Sequence, residues 1–105
     1  MARAKPDIRW TSKSQQDFSF AVDWYLEAAN YEVAERLTDS IDSAIQLIAE
    51  RPDLGRTVSL SRFEDLRQFS LSNFPYSIFF EVKSTYIQIV RILHEGRDIP
   101  MHLQR

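Results

Sequence analysis

A change of hydrophobic period divides this chain. From Ser12 to Glu50 apolar residues recur at helical spacing, and from Asp65 onward they recur at every second position. The first pattern buries its apolar stripe only as helix and the second only as strand, so the fold must set a helical layer against a sheet. Phe18, Ala21, Val22, Tyr25, Leu26 and Ala29 form one stripe; Ala34, Leu37, Ile41, Ala44, Ile45 and Ile48 form the next. Ser12-Lys13-Ser14-Gln15 matches a capping box that would start the first helix. Asn30 interrupts the pattern and suits the N-cap of the second. Pro52 cannot continue that helix, and Asp53-Leu54-Gly55 completes the turn. Two amphipathic helices with almost no loop between them are expected to lie antiparallel as a hairpin.

The strands follow the same reasoning. Pro6 to Trp10 reads as a short first strand, with Ile8 and Trp10 on one face. Asp65–Leu71, Tyr76–Lys83 and Tyr86–Leu93 read as three more, joined by short connections into an antiparallel meander. The expected architecture is α+β: a helical hairpin on one face of an antiparallel sheet, in the order β-α-α-β-β-β, with residues 1–105 as a single domain. A hairpin of helices covers only one face, yet Ile78, Phe80 and Val82 alternate with Phe79, and Val90 and Ile92 with Ile87, Ile89 and Leu93. A sheet with one wet face should alternate more cleanly. The surplus apolar residues either await a partner or are buried by twist and loops.

Composition narrows the function classes. The absence of cysteine rules out a disulfide framework and a thiolate metal site, and two histidines among scattered carboxylates do not suggest zinc. No metal and no cofactor are expected. No apolar run approaches the ~20 residues of a membrane span, and the start lacks a signal-peptide core, so a cytoplasmic protein is expected. Residues 12–50 carry eight acids against two bases, while residues 51–105 carry eight bases against six acids. With a net charge of −2 overall, direct nucleic-acid binding is not expected, although a local basic surface on the second half is open.

Chemistry-bearing residues concentrate where the last strand ends, in His94-Glu95-Gly96-Arg97-Asp98. Strand alternation puts Arg67 with Phe69 on one face, and Arg91 with Ile89 and Leu93 on one face. Guanidinium groups are costly to bury unpaired, so Arg67, Arg91 and Arg97 either pair with Asp65, Glu81 or Asp98 or offer fixed cations to a ligand. His94 could act as a base only with an orienting carboxylate such as Glu95 or Asp98. Ser77 lies in no nucleophile elbow, and two isolated glycines form no phosphate loop. No catalytic residue is therefore assigned. Trp24 and Tyr25 read chiefly as packing residues on the first helix.

Four segments in order carry a family resemblance: Pro52-Asp53-Leu54-Gly55-Arg56, Leu66-Arg67, Phe74-Pro75-Tyr76-Ser77-Ile78-Phe79-Phe80, and Val90 through Asp98. Together they resemble the ParE/RelE toxin superfamily of bacterial type II toxin–antitoxin systems, and Leu93-His94-Glu95-Gly96-Arg97-Asp98 is similar to the ParE branch. The resemblance implies a plasmid-stabilisation type of toxin, neutralised in a hetero-oligomer by a cognate ParD-like antitoxin whose flexible segment folds onto it. Phe69, Phe79, Trp24 and Tyr25 are the expected antitoxin-binding residues. The ParE branch further implies DNA gyrase as target; Arg67, Arg91, His94, Arg97 and Asp98 are the target-contact residues expected from their position in this chain rather than from a family mechanism. The RelE branch would instead imply ribosome-dependent mRNA cleavage by fixed cations. Its pattern leads to an arginine where this chain has Ser77, and to a C-terminal tyrosine where Met101, His102 and Leu103 stand. A non-toxic relative serving only to bind an antitoxin is the third alternative.

Overall fold

In the computed structural model, which describes residues 5–60 and 62–96, strand β1 (Asp7–Trp10) leads into helices α1 (Ser12–Ala28) and α2 (Tyr31–Glu50). A 3-10 turn at Pro52–Leu54 then delivers the chain to β2 (Arg56–Val58), β3 (Leu66–Ser70), β4 (Tyr76–Val82) and β5 (Tyr86–His94). The five strands lie in the order β1-β5-β4-β3-β2. The α+β arrangement, with both helices on one face of the sheet, is the one expected. Two details differ. The sheet is mixed, because β1 pairs parallel with β5 (Ile8 opposite Ile87, Trp10 opposite Ile89) while the other pairs are antiparallel. The three-residue β2, solvent-exposed at Arg56 and Thr57, adds an edge strand too short for period-two patterning to reveal.

The helical face holds the main core. Leu37, Ile41 and Ile48 of α2 are fully buried against Ile78 and Phe80 of β4 and Ile87, Ile89 and Ile92 of β5. Each such side chain contributes about 1.5–3 kcal/mol by leaving water. Asn30 caps α2 as expected, its Oδ1 accepting from Val33 N–H at 2.9 Å. At α1 the cap is Thr11, one residue before the expected Ser12: the Thr11 hydroxyl accepts from Ser14 N–H at 3.0 Å. The same hydroxyl donates to Val90 C=O at 2.9 Å, a tertiary bond that chooses between adjacent hydroxyl residues and leaves no local trace.

The opposite face is filled from within the monomer. Leu66, Phe79, Val90 and Leu93 form a second buried cluster under Val58 of β2 and Leu60 and Phe63 of the β2–β3 connection. The Glu81 carboxylate pins this cover, accepting from Glu64 N–H at 3.1 Å and pairing with Lys83 at 3.2 Å. Its hydrogen bond raises the Lys83 pKa above the ordinary value. Intramolecular burial thus accounts for apolar residues that the sequence left open to a partner.

A register shift lies between β4 and β5: Phe79 stands opposite Arg91, but Phe80 stands opposite Ile89, leaving Val90 as the extra residue of a bulge. Alternation is broken there. Ile89 faces the helices, whereas Val90, Arg91 and Leu93 share the opposite face. The expectation that Ile89, Arg91 and Leu93 share one face is corrected by this one-residue slip.

Gly55 occupies a contact that excludes any side chain. A Cβ there would sit 2.5 Å from a Phe80 ring carbon and 2.9 Å from Arg67 Cβ. Gly55→Ala is expected to lower stability by about 2 kcal/mol, roughly 10 °C in Tm, in a thermal melt followed by circular dichroism.

Candidate functional site

The arginines singled out from the sequence do not form one cationic cluster. Arg67 projects on the helical face, opposite Phe80 in register, and is held by Asp65 at 3.1 Å and Pro52 C=O at 3.4 Å. Arg91 lies on the other face, its Nε 2.7 Å and Nη2 2.9 Å from the two carboxylate oxygens of Asp17. Both side chains of that pair are nearly buried, 13% and 12% exposed. Fork-to-carboxylate geometry of this kind fixes the guanidinium within the fold. Arg97 and Asp98 lie outside the described residues.

His94 ends β5 on the helical face. Its Nδ1 accepts from Gly96 N–H at 3.1 Å, and its ring meets the Tyr76 ring edge-on, with centroids 5.3 Å apart. Tyr25 sits beside Tyr76 and Phe74 (6.4 and 5.4 Å between centroids), and Trp24 packs on Tyr25 at 4.9 Å. Trp24, Tyr25, Tyr76 and His94 thereby line one cleft of about 220 Å³. The structure brings together the histidine expected to contact a target and two aromatics expected to contact an antitoxin. On the two helices, Phe20 (72% exposed), Trp24 (55%) and Tyr31 (69%) leave large apolar groups in water.

A larger groove, about 670 Å³, runs between α2 and the β3–β4 turn. Val33, Ala44, Leu47, Phe69, Leu71 and Phe74 supply its apolar lining, and Arg36 and Asp39 its charged lining. Phe69 is thus placed where an incoming chain could reach it. Phe79 is not: it is fully buried beneath the β2–β3 cover.

One polar constellation escaped sequence reasoning. On the face opposite the helices, Glu95 Oε2 accepts from Ser70 Oγ at 2.7 Å and from Ser77 Oγ at 2.8 Å. Gln68 Nε2 donates to the same Ser77 oxygen at 3.0 Å. The available signal was the placing of polar Gln68 and Ser70 at alternate positions of β3, on either side of Phe69, but their meeting with Ser77 and Glu95 needs the strand register. A serine held by a carboxylate, with no imidazole between them, lacks the base of a nucleophile triad. Among the described residues no group of three or more histidine, aspartate or glutamate side chains could hold a metal ion.

An aromatic cleft, an apolar groove and the polar end of β5 thus share one small scaffold. Residues 8–99 match the family described as ParE toxin of type II toxin-antitoxin system, parDE. The chain belongs to the ParE toxin family. Among its relatives is the candidate toxin Y4kP of Sinorhizobium fredii (strain NBRC 101917 / NGR234), 27% identical over 96 residues that span 91% of this chain and 95% of that one. A chain of the solved chromosomal ParDE TA system from P. aeruginosa is 25% identical, with a TM-score of 0.74 over 86% of this chain and 96% of its own. This chain is a ParE-type toxin of a type II toxin–antitoxin system, and no helix among its described residues is long and apolar enough to cross a membrane.

In this ParE-type toxin the Arg91–Asp17 pair has structural consequences that a growth assay alone would misread. Asp17 also accepts from Ile92 N–H at 3.0 Å, so its removal takes the acceptor from three N–H groups. Asp17→Ala is expected to cost about 3–5 kcal/mol and Arg91→Ala less, with the double variant falling short of the sum by about 1–3 kcal/mol in a urea-unfolding cycle.

Proposed function

We propose that this ParE-type toxin arrests growth by binding DNA gyrase through the end of β5 and the residues beyond it, and that a ParD-like antitoxin neutralises it by direct docking. The observation that carries the choice of target is the carboxylate of Glu95, 2.8 Å from the hydroxyl of Ser77. The RelE resemblance leads to an arginine at Ser77, where phosphate must be gripped. A carboxylate beside that position repels phosphate, and Arg67 and Arg91 stand on opposite faces, each paired with its own acid. Cations so dispersed cannot jointly stabilise a pentacoordinate phosphate. A protein-binding mode of action fits these side chains better than RNA cleavage. His94, Arg97 and Asp98 are the contact residues proposed for the target, in preference to Arg67 and Arg91.

The groove between α2 and the β3–β4 turn is the proposed antitoxin seat. It has the size and apolar lining to bury anchors of a segment that folds on binding, with Phe69 and the half-exposed Leu47 at hand. Trp24 and Tyr25 extend the apolar surface on α1. The solved P. aeruginosa relative supports the pairing, since it comes from a ParDE TA system.

Purified protein added to gyrase supercoiling reactions, with ribosome-programmed mRNA cleavage run alongside, tests the target. Inhibited supercoiling with intact mRNA is the expected result. Cut mRNA with active gyrase would establish the endonuclease alternative, and silence in both, without growth arrest on induction, the non-toxic binding module. Arg97→Ala is expected to keep the native circular-dichroism spectrum and melting temperature while losing growth arrest. For the antitoxin, Leu47→Asp should weaken binding by about 1–3 kcal/mol, read by isothermal titration of the purified pair, because a carboxylate would have to be desolvated in the groove.

A further inference from the structure

Strand β5 carries the proposed target contact His94 at its end, followed by the exposed Glu95 and Gly96, and ends of strands fray unless something holds them. Here several groups hold one residue. Glu95 N–H donates to Pro75 C=O at 2.8 Å, which ties the residue after β5 back to the β3–β4 turn. The Glu95 side chain then reaches across the face opposite the helices, and a single carboxylate oxygen accepts both serine hydroxyls, at 2.7 and 2.8 Å. Glu95 is itself solvent-exposed, so nothing but these bonds compels its side chain into one rotamer.

The network has a direction. Arg56 Nη2 donates to Gln68 Oε1 at 3.0 Å, and a guanidinium can only donate, so the Gln68 amide must present its NH2 on the other side. That NH2 donates to Ser77 Oγ at 3.0 Å and fills one of its acceptor positions. Ser77 has one proton left to give; Glu95 Oε2 at 2.8 Å is the nearer and the charged acceptor, and Ser70 Oγ, 3.0 Å away, is the other within reach. Ser77 is fully buried, which keeps water from competing for that proton. The order Arg56, Gln68, Ser77, Glu95 therefore runs from β2 across β3 and β4 to the residue that follows β5.

We propose that Glu95 is a positioning residue: its carboxylate, seated between Ser70 and Ser77, latches the end of β5 and thereby holds the neighbouring His94, a proposed target contact, in place. This rests on the reading that the toxin acts through that end of the molecule. In this role Glu95 need not touch the target. It also explains why polar residues interrupt the apolar pattern of β3 and β4 at Gln68, Ser70 and Ser77, which the core does not require.

The test compares Glu95→Ala, Glu95→Gln and Ser70→Ala with the parent chain by amide hydrogen exchange and by growth arrest on induction. Glu95→Ala should speed exchange of the Glu95 amide about tenfold or more while Leu37 and Ile78 amides stay protected. It should weaken growth arrest without changing binding to the antitoxin. Glu95→Gln should restore both readouts, because the amide oxygen accepts the same two hydroxyls, and Ser70→Ala should fall between. Unchanged exchange in Glu95→Ala would overturn the latch. Faster exchange with undiminished growth arrest, or loss of arrest that Gln fails to rescue, would overturn the positioning role. A parent chain with no effect on growth would overturn the toxin reading and the positioning role with it, while the exchange rates would still decide the latch.

Discussion

A strand paired along only part of its edge must find other partners for its remaining backbone groups, and in this protein that demand falls on β5. Its edge meets β1 only from Tyr86 to Ile89. Beyond that point the chain of β1 has turned into α1, and the turn itself takes over the pairing. Thr11 N–H donates to Ile89 C=O at 3.1 Å, the Thr11 hydroxyl donates to Val90 C=O at 2.9 Å, and Asp17 accepts Ile92 N–H at 3.0 Å. Buried backbone groups left unpaired would cost as much as lost hydrogen bonds. The bulge at Val90 lies in this stretch, and Asp17 binds Arg91 there through both oxygens. The placement of α1, and through it of α2 and the aromatic cleft, follows from this junction.

A second constraint is that both faces of a small sheet are dry over much of their area. The helices cover one face, and the β2–β3 connection covers part of the other, pinned by Glu81. Apolar residues that reach solvent are therefore on the helices and at the groove rather than on the sheet. A ParE-type toxin organised in this way can present distinct surfaces on one scaffold, an apolar groove beside α2 and a polar strand end after His94. Among the described residues, Arg67, Lys83 and Arg91 of the sheet and the residues beside it are each paired with a carboxylate.

Much of the architecture was legible along the chain. The stripe from Ala34 to Ile48 marked α2, Asn30 marked its start and Pro52 its stop, because helix period, N-capping and proline's missing donor are local properties. The strands beginning near Leu66, Tyr76 and Tyr86 were legible for the same reason. The cap of α1 was displaced by one residue because two neighbouring hydroxyl residues compete for that position, and only the carbonyl of Val90, 79 residues away, favours Thr11. Strand β2 was missed because three exposed residues carry no period.

The candidate site divided along the same line. His94, Trp24, Tyr25 and Phe69 were picked out by residue type and lie on two reachable surfaces, the cleft and the groove. Arg91 and Phe79 looked equally available in the sequence, yet the fold pairs one with Asp17 and buries the other. What the chain determined alone was which segments fold as helix or strand, since periodicity and capping act within a few residues. What only the tertiary structure decided was register and face: the Val90 bulge, the parallel seat of β1 and the meeting of Ser70, Ser77 and Glu95. Those depend on which distant backbone groups and side chains must be satisfied together, and that is a property of the assembled sheet.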